Sequence, residues 1–226
     1  MQTNNIDSFG FLSKKLARYY EAEMAYVKSY IPKSPKVLEV GYGTGSFLQY
    51  GKQRLWDITG VEINQDLVDE AKAYHYNVIA AKDLNSLKAN DFDLVCAFDV
   101  FEHIDAEEIH DYVMLLKRLL KPGGIILAKF PNGDSPLGMP NQNGDLTHKI
   151  AIGSGIIHDL AKSSNMHLVL LKGNAEPFLG LGLINFIYRL IIYPTRFILN
   201  ILFNMIFSAN NRVNFCASNL VVVLKK

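Results

Sequence analysis

The run Val37-Leu38-Glu39-Val40-Gly41-Tyr42-Gly43-Thr44-Gly45-Ser46 leaves an apolar stretch through three glycines at alternate positions. Glycines so placed let a backbone turn sharply and approach a ligand at the start of a helix. A dinucleotide fingerprint would need glycine where Ser46 stands, so that cofactor class is not indicated. Glu39 precedes the glycines, and a carboxylate there suits a ligand with a cationic amino group better than a pyrophosphate. A second apolar run ends Gly60-Val61-Glu62, and an acid at a strand end can accept hydrogen bonds from both hydroxyls of a ribose. Proton removal near neutral pH is the province of histidine, of which the chain has six. His75, His110, His158 and His167 fall at expected helix ends, helix surfaces and a strand start, where ordinary surface roles explain them. His103 closes Asp99-Val100-Phe101-Glu102-His103 just after an apolar run, and His148 closes Asp145-Leu146-Thr147-His148 in a loop. His148, or else His103, could take a hydroxyl proton, with Asp145 orienting the His148 imidazole. Turn chemistry is the competing explanation for Asp145.

These residues need a scaffold, and the hydropathy pattern supplies one. Strands are expected over 37–40, 57–62, 76–80, 92–98, 124–130, 167–172 and 219–224. Helices are expected over 46–54, from an Asn64 cap to about Tyr74, from an Asp105 cap to Leu120, and over 153–164. A further helix over 11–30, ended by Pro32, would make residues 1–35 an N-terminal helical cap on a domain spanning 36–226. Strands separated by helices imply right-handed crossovers and a mostly parallel sheet, the α/β class. Residues 131–148, rich in Pro, Gly, Asn and Asp, form a loop long enough to be functional.

Taken together, VLEVGYGTGSFL (37–48), GVEIN (60–64), FDLVCAFDVFEHI (92–104) and LLKRLLKPGGIILAKFPN (115–132) resemble the class I S-adenosylmethionine-dependent methyltransferases. The nearest branch is the ubiquinone-biosynthesis-like and sugar-modifying one. The resemblance implies a Rossmann-like, seven-stranded sheet with helices on both faces and its last strand antiparallel. It also implies S-adenosylmethionine (SAM) lying across the ends of strands 1, 2 and 4. By the same resemblance Glu39, Gly41, Gly43 and Gly45 would hold the methionine moiety, Glu62 the ribose and Ile63 the adenine. Asp83 would stand near the adenine amine, and Asp99 at the cofactor edge. In some quinone methyltransferases of this branch an arrangement like Asp99, Glu102 and His103 binds a divalent metal; many relatives keep Glu-His without one, and no metal is expected here. The loop residues 131–148 resemble those of methyltransferases encoded with surface-polysaccharide enzymes.

The composition narrows the setting. Lys and Arg number 23 against 22 Asp and Glu, so no basic face for general nucleic-acid binding is expected. Cys96 and Cys216 lie far apart in apolar runs and read as buried thiols, and the N-terminus lacks the pattern of a secretory signal. Yet the mean hydropathy is +0.09, high for such a chain. The excess sits in residues 177–209, an apolar helical insertion before the last strand whose only charges are Arg189 and Arg196. At about 100° per residue Asn185, Arg189, Arg196, Asn200 and Asn204 share one stripe, and the rest is apolar. Pro194 is expected to split the stretch into two helices. The alternatives are a helical pair packed on the domain or forming a homodimer, a transmembrane hairpin, and a surface helix with its apolar face in lipid and its arginines at headgroup level. The last is the reading adopted, with peripheral attachment through 178–207 at the cytoplasmic, inner face of a membrane. Function follows: a SAM-dependent O-methyltransferase acting on a small-molecule or lipid-linked glycan, the alternatives being a quinone-ring O-methyltransferase and a non-catalytic SAM-fold membrane partner.

Overall fold

The computed structural model describes residues 9–207 and 213–226. Residues 1–8 of the expected cap and 208–212, at the end of the apolar stretch, lie outside the described residues. Helix α1, Lys14–Met24, is capped by the Ser13 hydroxyl, which accepts from the Leu16 N–H at 3.1 Å. It ends well before Pro32, in a series of turns. The strands are β1 Lys36–Val40, β2 Asp57–Glu62, β3 Val78–Ala80, β4 Phe92–Phe98, β5 Leu120–Pro131, β6 His167–Gly173 and β7 Asn219–Lys225. Between them stand α2 Ser46–Lys52, α3 Gln65–Ala73, α4 Ile109–Leu119, a short α5 Met139–Asn143, α6 Ser154–Ser163 and α7 Leu183–Phe207.

All seven strands join one sheet in the order β3-β2-β1-β4-β5-β7-β6. Neighbours are parallel except that β7 runs antiparallel to both β5 and β6. This is the mostly parallel, Rossmann-like α/β sheet expected, with the apolar helix just before the last strand. Helices cover both faces, so the central strands are apolar on both. Alternation then sorts their residues into two cores. Val37, Leu94, Cys96 and Ile125 pack with Met24 of α1 and Phe47 of α2, while Leu38, Val95 and Ile126 pack with Leu116 of α4 and Ile157 of α6. Cys96 and Cys216 are free and buried, as expected. The chain builds outward from β1 through β2 to β3, then returns to β4 on the other side of β1. Such a switch point opens a crevice at the carboxyl ends of the strands, where ligands of open α/β sheets bind.

Two local expectations are corrected. Asn64 caps α3 as anticipated, its side chain accepting from the Asp66 N–H at 2.9 Å, but Asp105 does not cap α4. Its carboxylate is held by Lys149 Nζ at 2.6 Å, and the helix starts at Ile109. Nor does Pro194 split the apolar stretch: α7 is one helix of 25 residues with Pro194 inside it. Proline deletes one hydrogen bond there, but polar side chains anchor the helix on both sides of it. Arg189 donates to Tyr19 Oη at 3.1 Å, Arg196 to Glu176 Oε1 at 3.0 Å, and Tyr193 to the Glu176 carbonyl. Asn200 accepts from the Phe215 N–H and Asn204 from the Val213 N–H, both at 2.8 Å.

Candidate active site

Strand β1 ends at Val40, and Gly41, Gly43 and Gly45 all adopt positive φ, at 69°, 50° and 76°. A side chain on Gly45 would strike the Phe9 ring, which packs over the turn. At Gly43 the added atom would meet nothing within 4 Å, so the backbone there borders open space. Across that space Glu62, at the end of β2, turns its carboxylate inward. Oε2 accepts from the Gly43 N–H at 3.1 Å, and Oε1 from the Ile63 and Asn64 N–H groups at 2.8 and 3.1 Å. One side chain thus ties the β1–α2 turn to the β2–α3 turn. A carboxylate has about four acceptor sites, so Oε2 keeps one free. Ile63 is 87% exposed beside it, and Asp83 lies in the exposed 3₁₀ turn, Ala81–Ser86, that follows β3.

Glu39 stands in β1 at the root of the turn, buried, with Oε2 bonded to nothing. Burial, reinforced by Glu62, holds its carboxyl well above the usual range. Helix α1 brings a second acid close: Glu23 is buried, its Oε2 also unpartnered. Burial raises it as well, opposed by Lys129, whose Nζ lies 3.4 Å from Glu23 Oε1 and 3.9 Å from Asp99 Oδ2. Tyr20, one turn earlier on α1, has its hydroxyl pushed up by burial and then by Glu39. Tyr20, Glu23 and Lys129 were missed in the sequence reading. The signals available were a glutamate beside the apolar positions of α1 and a lone lysine in the apolar run Ile125-Ile126-Leu127-Ala128-Lys129-Phe130.

Beyond β4 the 3₁₀ turn Phe101–His103 meets the loop before α6. The Glu102 carbonyl accepts from the Lys149 and Ile150 N–H groups, clasping the loop to the turn. Here His103 and His148 come together, ring centroids 4.7 Å apart, with His148 Nε2 3.9 Å from Glu102 Oε1. Glu102 is 1% exposed with neither carboxylate oxygen hydrogen-bonded, and burial pushes its carboxyl up to about 7. The tautomers follow from the partners. His148 Nδ1 lies 2.8 Å from the Gln142 carbonyl, which can only accept, so Nδ1 carries the proton. Thr147 gives its hydroxyl proton to Asp145 Oδ1 at 2.6 Å, so Thr147 Oγ1, 3.0 Å from His103 Nδ1, accepts from that nitrogen. Both Nε2 atoms are therefore bare in the neutral rings. Asp145 orients His103 through Thr147, not His148 as expected. The reason is local: its carboxylate also accepts from the Thr147 N–H at 2.8 Å, an Asx turn that commits it to Thr147. Those two bonds with Thr147 hold Asp145 below the usual carboxylate range.

Glu102, His103 and His148 each offer a ligand atom, all within 4.8 Å of one another. Two imidazoles and a carboxylate are a donor set suited to a divalent transition metal or zinc. Asp99 is not part of that group; its carboxylate turns to Lys129, so the grouping of Asp99 with Glu102 and His103 is corrected.

A switch-point crevice, a glycine turn and an acid at the end of β2, on a sheet of order β3-β2-β1-β4-β5-β7-β6 with β7 antiparallel, match the class I methyltransferase fold. The family model described as "Methyltransferase domain" matches residues 11–161, and the chain belongs to that family. No curated protein matches its sequence. In structure it is similar to a SAM-dependent methyltransferase from Archaeoglobus fulgidus, with TM-score 0.66 and 19% identity over 93% of this chain and 94% of that one. A SAM-dependent methyltransferase from Mesorhizobium loti gives TM-score 0.60 and 12% identity, over 91% and 98% of the two chains. A 1,6-didemethyltoxoflavin-N1-methyltransferase from Burkholderia thailandensis, solved with S-adenosylhomocysteine, gives TM-score 0.58 and 12% identity over 94% and 79%. The chain is a SAM-dependent methyltransferase. The site fits that cofactor: unpartnered buried carboxylate oxygens on Glu39 and Glu23 suit its cationic groups, and the open space at Gly43 lies beside the free acceptor position of Glu62.

Proposed function

We propose that this enzyme methylates a hydroxyl of a glycan or lipid-linked sugar in cell-surface polysaccharide biosynthesis, at the inner membrane surface. The observation that carries the reading is the pair His103 and His148, each with Nδ1 engaged and Nε2 bare, set against the buried carboxyl of Glu102. SAM, when bound, supplies a methyl group on a sulfonium, open to in-line attack. Glu39 would hold its cationic methionine end, Gly41, Gly43 and Gly45 would let the backbone close on it, and Glu62 would take the ribose. Ile63 would pack on the adenine, Asp83 would stand near the adenine amine, and Asp99, beside Lys129, would border the cofactor. His148 has a side chain only 9% exposed, so His103 is the better placed to meet an acceptor hydroxyl. Its Nε2 takes the proton, and Asp145, acting through Thr147, stabilises the imidazolium formed.

Attachment to a membrane rests on α7. Its polar stripe faces Glu176, Tyr19 and residues 213–215, so Arg189 is buried against the protein, whereas Arg196, paired with Glu176, stays partly exposed. What faces outward is apolar: Ile184, Phe197, Ile206 and Phe207 are each at least two-thirds exposed. At about 1.5 Å per residue α7 is long enough to cross a bilayer, but its anchors along one side suit a helix lying in the interface.

The test is transfer of labelled methyl from SAM into lipid extracts, with mass spectrometry of the product. Label in a sugar-bearing lipid, lowered roughly 10²–10⁴-fold by His103→Ala, is expected; label confined to other products would sink the glycan assignment. The Glu102, His103 and His148 group favours a second reading, a quinone-ring O-methyltransferase using a divalent metal. Stimulation by magnesium and loss with chelator would select it.

A further inference from the structure

Away from the crevice, a cavity of about 300 Å³ lies between α7 and the β6–β7 side of the sheet. Its polar lining offers donors on Lys172, Arg196, Tyr26, Asn174, Asn200 and Asn214. Glu176 is the sole carboxylate in that lining. It is already engaged, by Arg196 Nη1 at 3.0 Å and Arg189 Nη2 at 3.9 Å. Among the described lining residues, Arg196 and Lys172 thus set two positive charges against that one acid, which Arg189 also approaches from outside the lining. Arg189 is 4% exposed and lies outside the lining, so the share of Glu176 that it draws is withdrawn from the cavity's own cations. Asn200 uses its Oδ1 on the Phe215 N–H, which leaves its NH₂ group to donate.

A donor-rich, net-positive cavity calls for a ligand that is anionic and rich in acceptors, and phosphate is the group that fits. The cavity also has an apolar lip. Phe197 lines it, is 68% exposed, and leads onto the outer face of α7. A ligand with a phosphate head and an apolar tail matches both. We propose that this cavity binds the phosphate headgroup of an anionic lipid and so fixes how the enzyme sits on the membrane. The proposal rests on the reading that α7 lies in lipid.

The experiment is sedimentation of the full chain with phosphatidylcholine vesicles and with vesicles containing added phosphatidylglycerol. Lys172→Glu and Lys172→Arg are compared with the natural chain, and SAM affinity is the folding control. Phosphatidylglycerol should raise binding about fivefold to tenfold. Lys172→Glu should abolish that increment yet still sediment with neutral vesicles, and Lys172→Arg should retain it. Equal binding to both vesicle types, or an increment that survives Lys172→Glu, overturns the proposal and leaves the membrane reading standing. Absence of sedimentation with either vesicle removes the membrane reading, and this proposal with it. Calorimetry with inorganic phosphate separates the two sources of the same chemistry: Lys172-dependent phosphate binding without any lipid increment would assign the cavity to a free phosphate compound and overturn the lipid headgroup.

Discussion

At the scale of single residues, Glu62 does two things with one carboxylate. It fastens two turns together through three N–H groups and leaves one acceptor position toward the open space at Gly43. Glu62→Ala removes both, so SAM affinity measured by calorimetry should fall by roughly 10- to 10²-fold, the loss of one charge-assisted hydrogen bond. Unchanged affinity would remove Glu62 from the cofactor assignment. Glu102 is legible by its pH behaviour. Burial raises its carboxyl from the ordinary 4.5 to about 7, so the folded chain favours the protonated form. The resulting stability is fully present below about pH 4.5 and is lost as pH rises through 7, a change of about 3 kcal/mol. Glu102→Gln cannot ionise and should not show that loss. Urea denaturation near pH 4.5 and pH 8 measures it; parallel decline in both proteins would show that Glu102 is not the source.

At the scale of elements, the hydropathy pattern located the strands because those buried on both faces show as short apolar runs whatever surrounds them, and even the half-buried edge strand β6 keeps the run Leu168-Val169-Leu170-Leu171. Helix ends were less legible, since a cap depends on what else competes for the side chain: Asn64 was free to cap α3, whereas Asp105 is taken by Lys149. The same limit applies in the site. The positions of His103 and His148 were readable from spacing, but their meeting depends on a clasp between Glu102 and the Lys149 and Ile150 N–H groups that no spacing reveals. For α7, helical arithmetic found the polar stripe correctly but not which way it faces, because its partners, Tyr19, Glu176 and residues 213–215, lie outside the helix. That geometry makes Glu176 the hinge of the attachment. Glu176→Ala leaves the buried Arg189 guanidinium without its counter-charge, a change worth about 3 kcal/mol. Amide exchange should speed up across α7 and remain slow in β1, β4 and β5. Protection of α7 equal to that of the natural chain would mean that Tyr19 and the asparagines suffice to hold it.

For the whole molecule, the distribution of apolar surface separates two tasks. Among the described residues the sheet buries its own apolar residues in three cores closed by α1, α2, α3, α4 and α6, and none of them draws on α7. The positive mean hydropathy of the chain therefore does not reflect an unusually apolar interior; it reflects a helix whose large side chains face outward. A contiguous apolar face of this length is unfavourable in water and marks an interaction surface. If that surface serves only to bring the catalytic crevice to lipid, the two tasks can be uncoupled. Replacing 178–207 by a short Gly/Ser linker should leave SAM affinity within about twofold, because the glycine turn, Glu39 and Glu62 are held by the β1–β2 pairing and by Glu62's own hydrogen bonds. Sedimentation with vesicles should be abolished, since the exposed apolar face is removed. Methyl transfer to a lipid-embedded acceptor should fall with it, while transfer to a water-soluble analogue of the same sugar should persist. Loss of both transfers with SAM binding intact would instead place α7 in the acceptor site, and equal sedimentation of the two forms would end the membrane assignment.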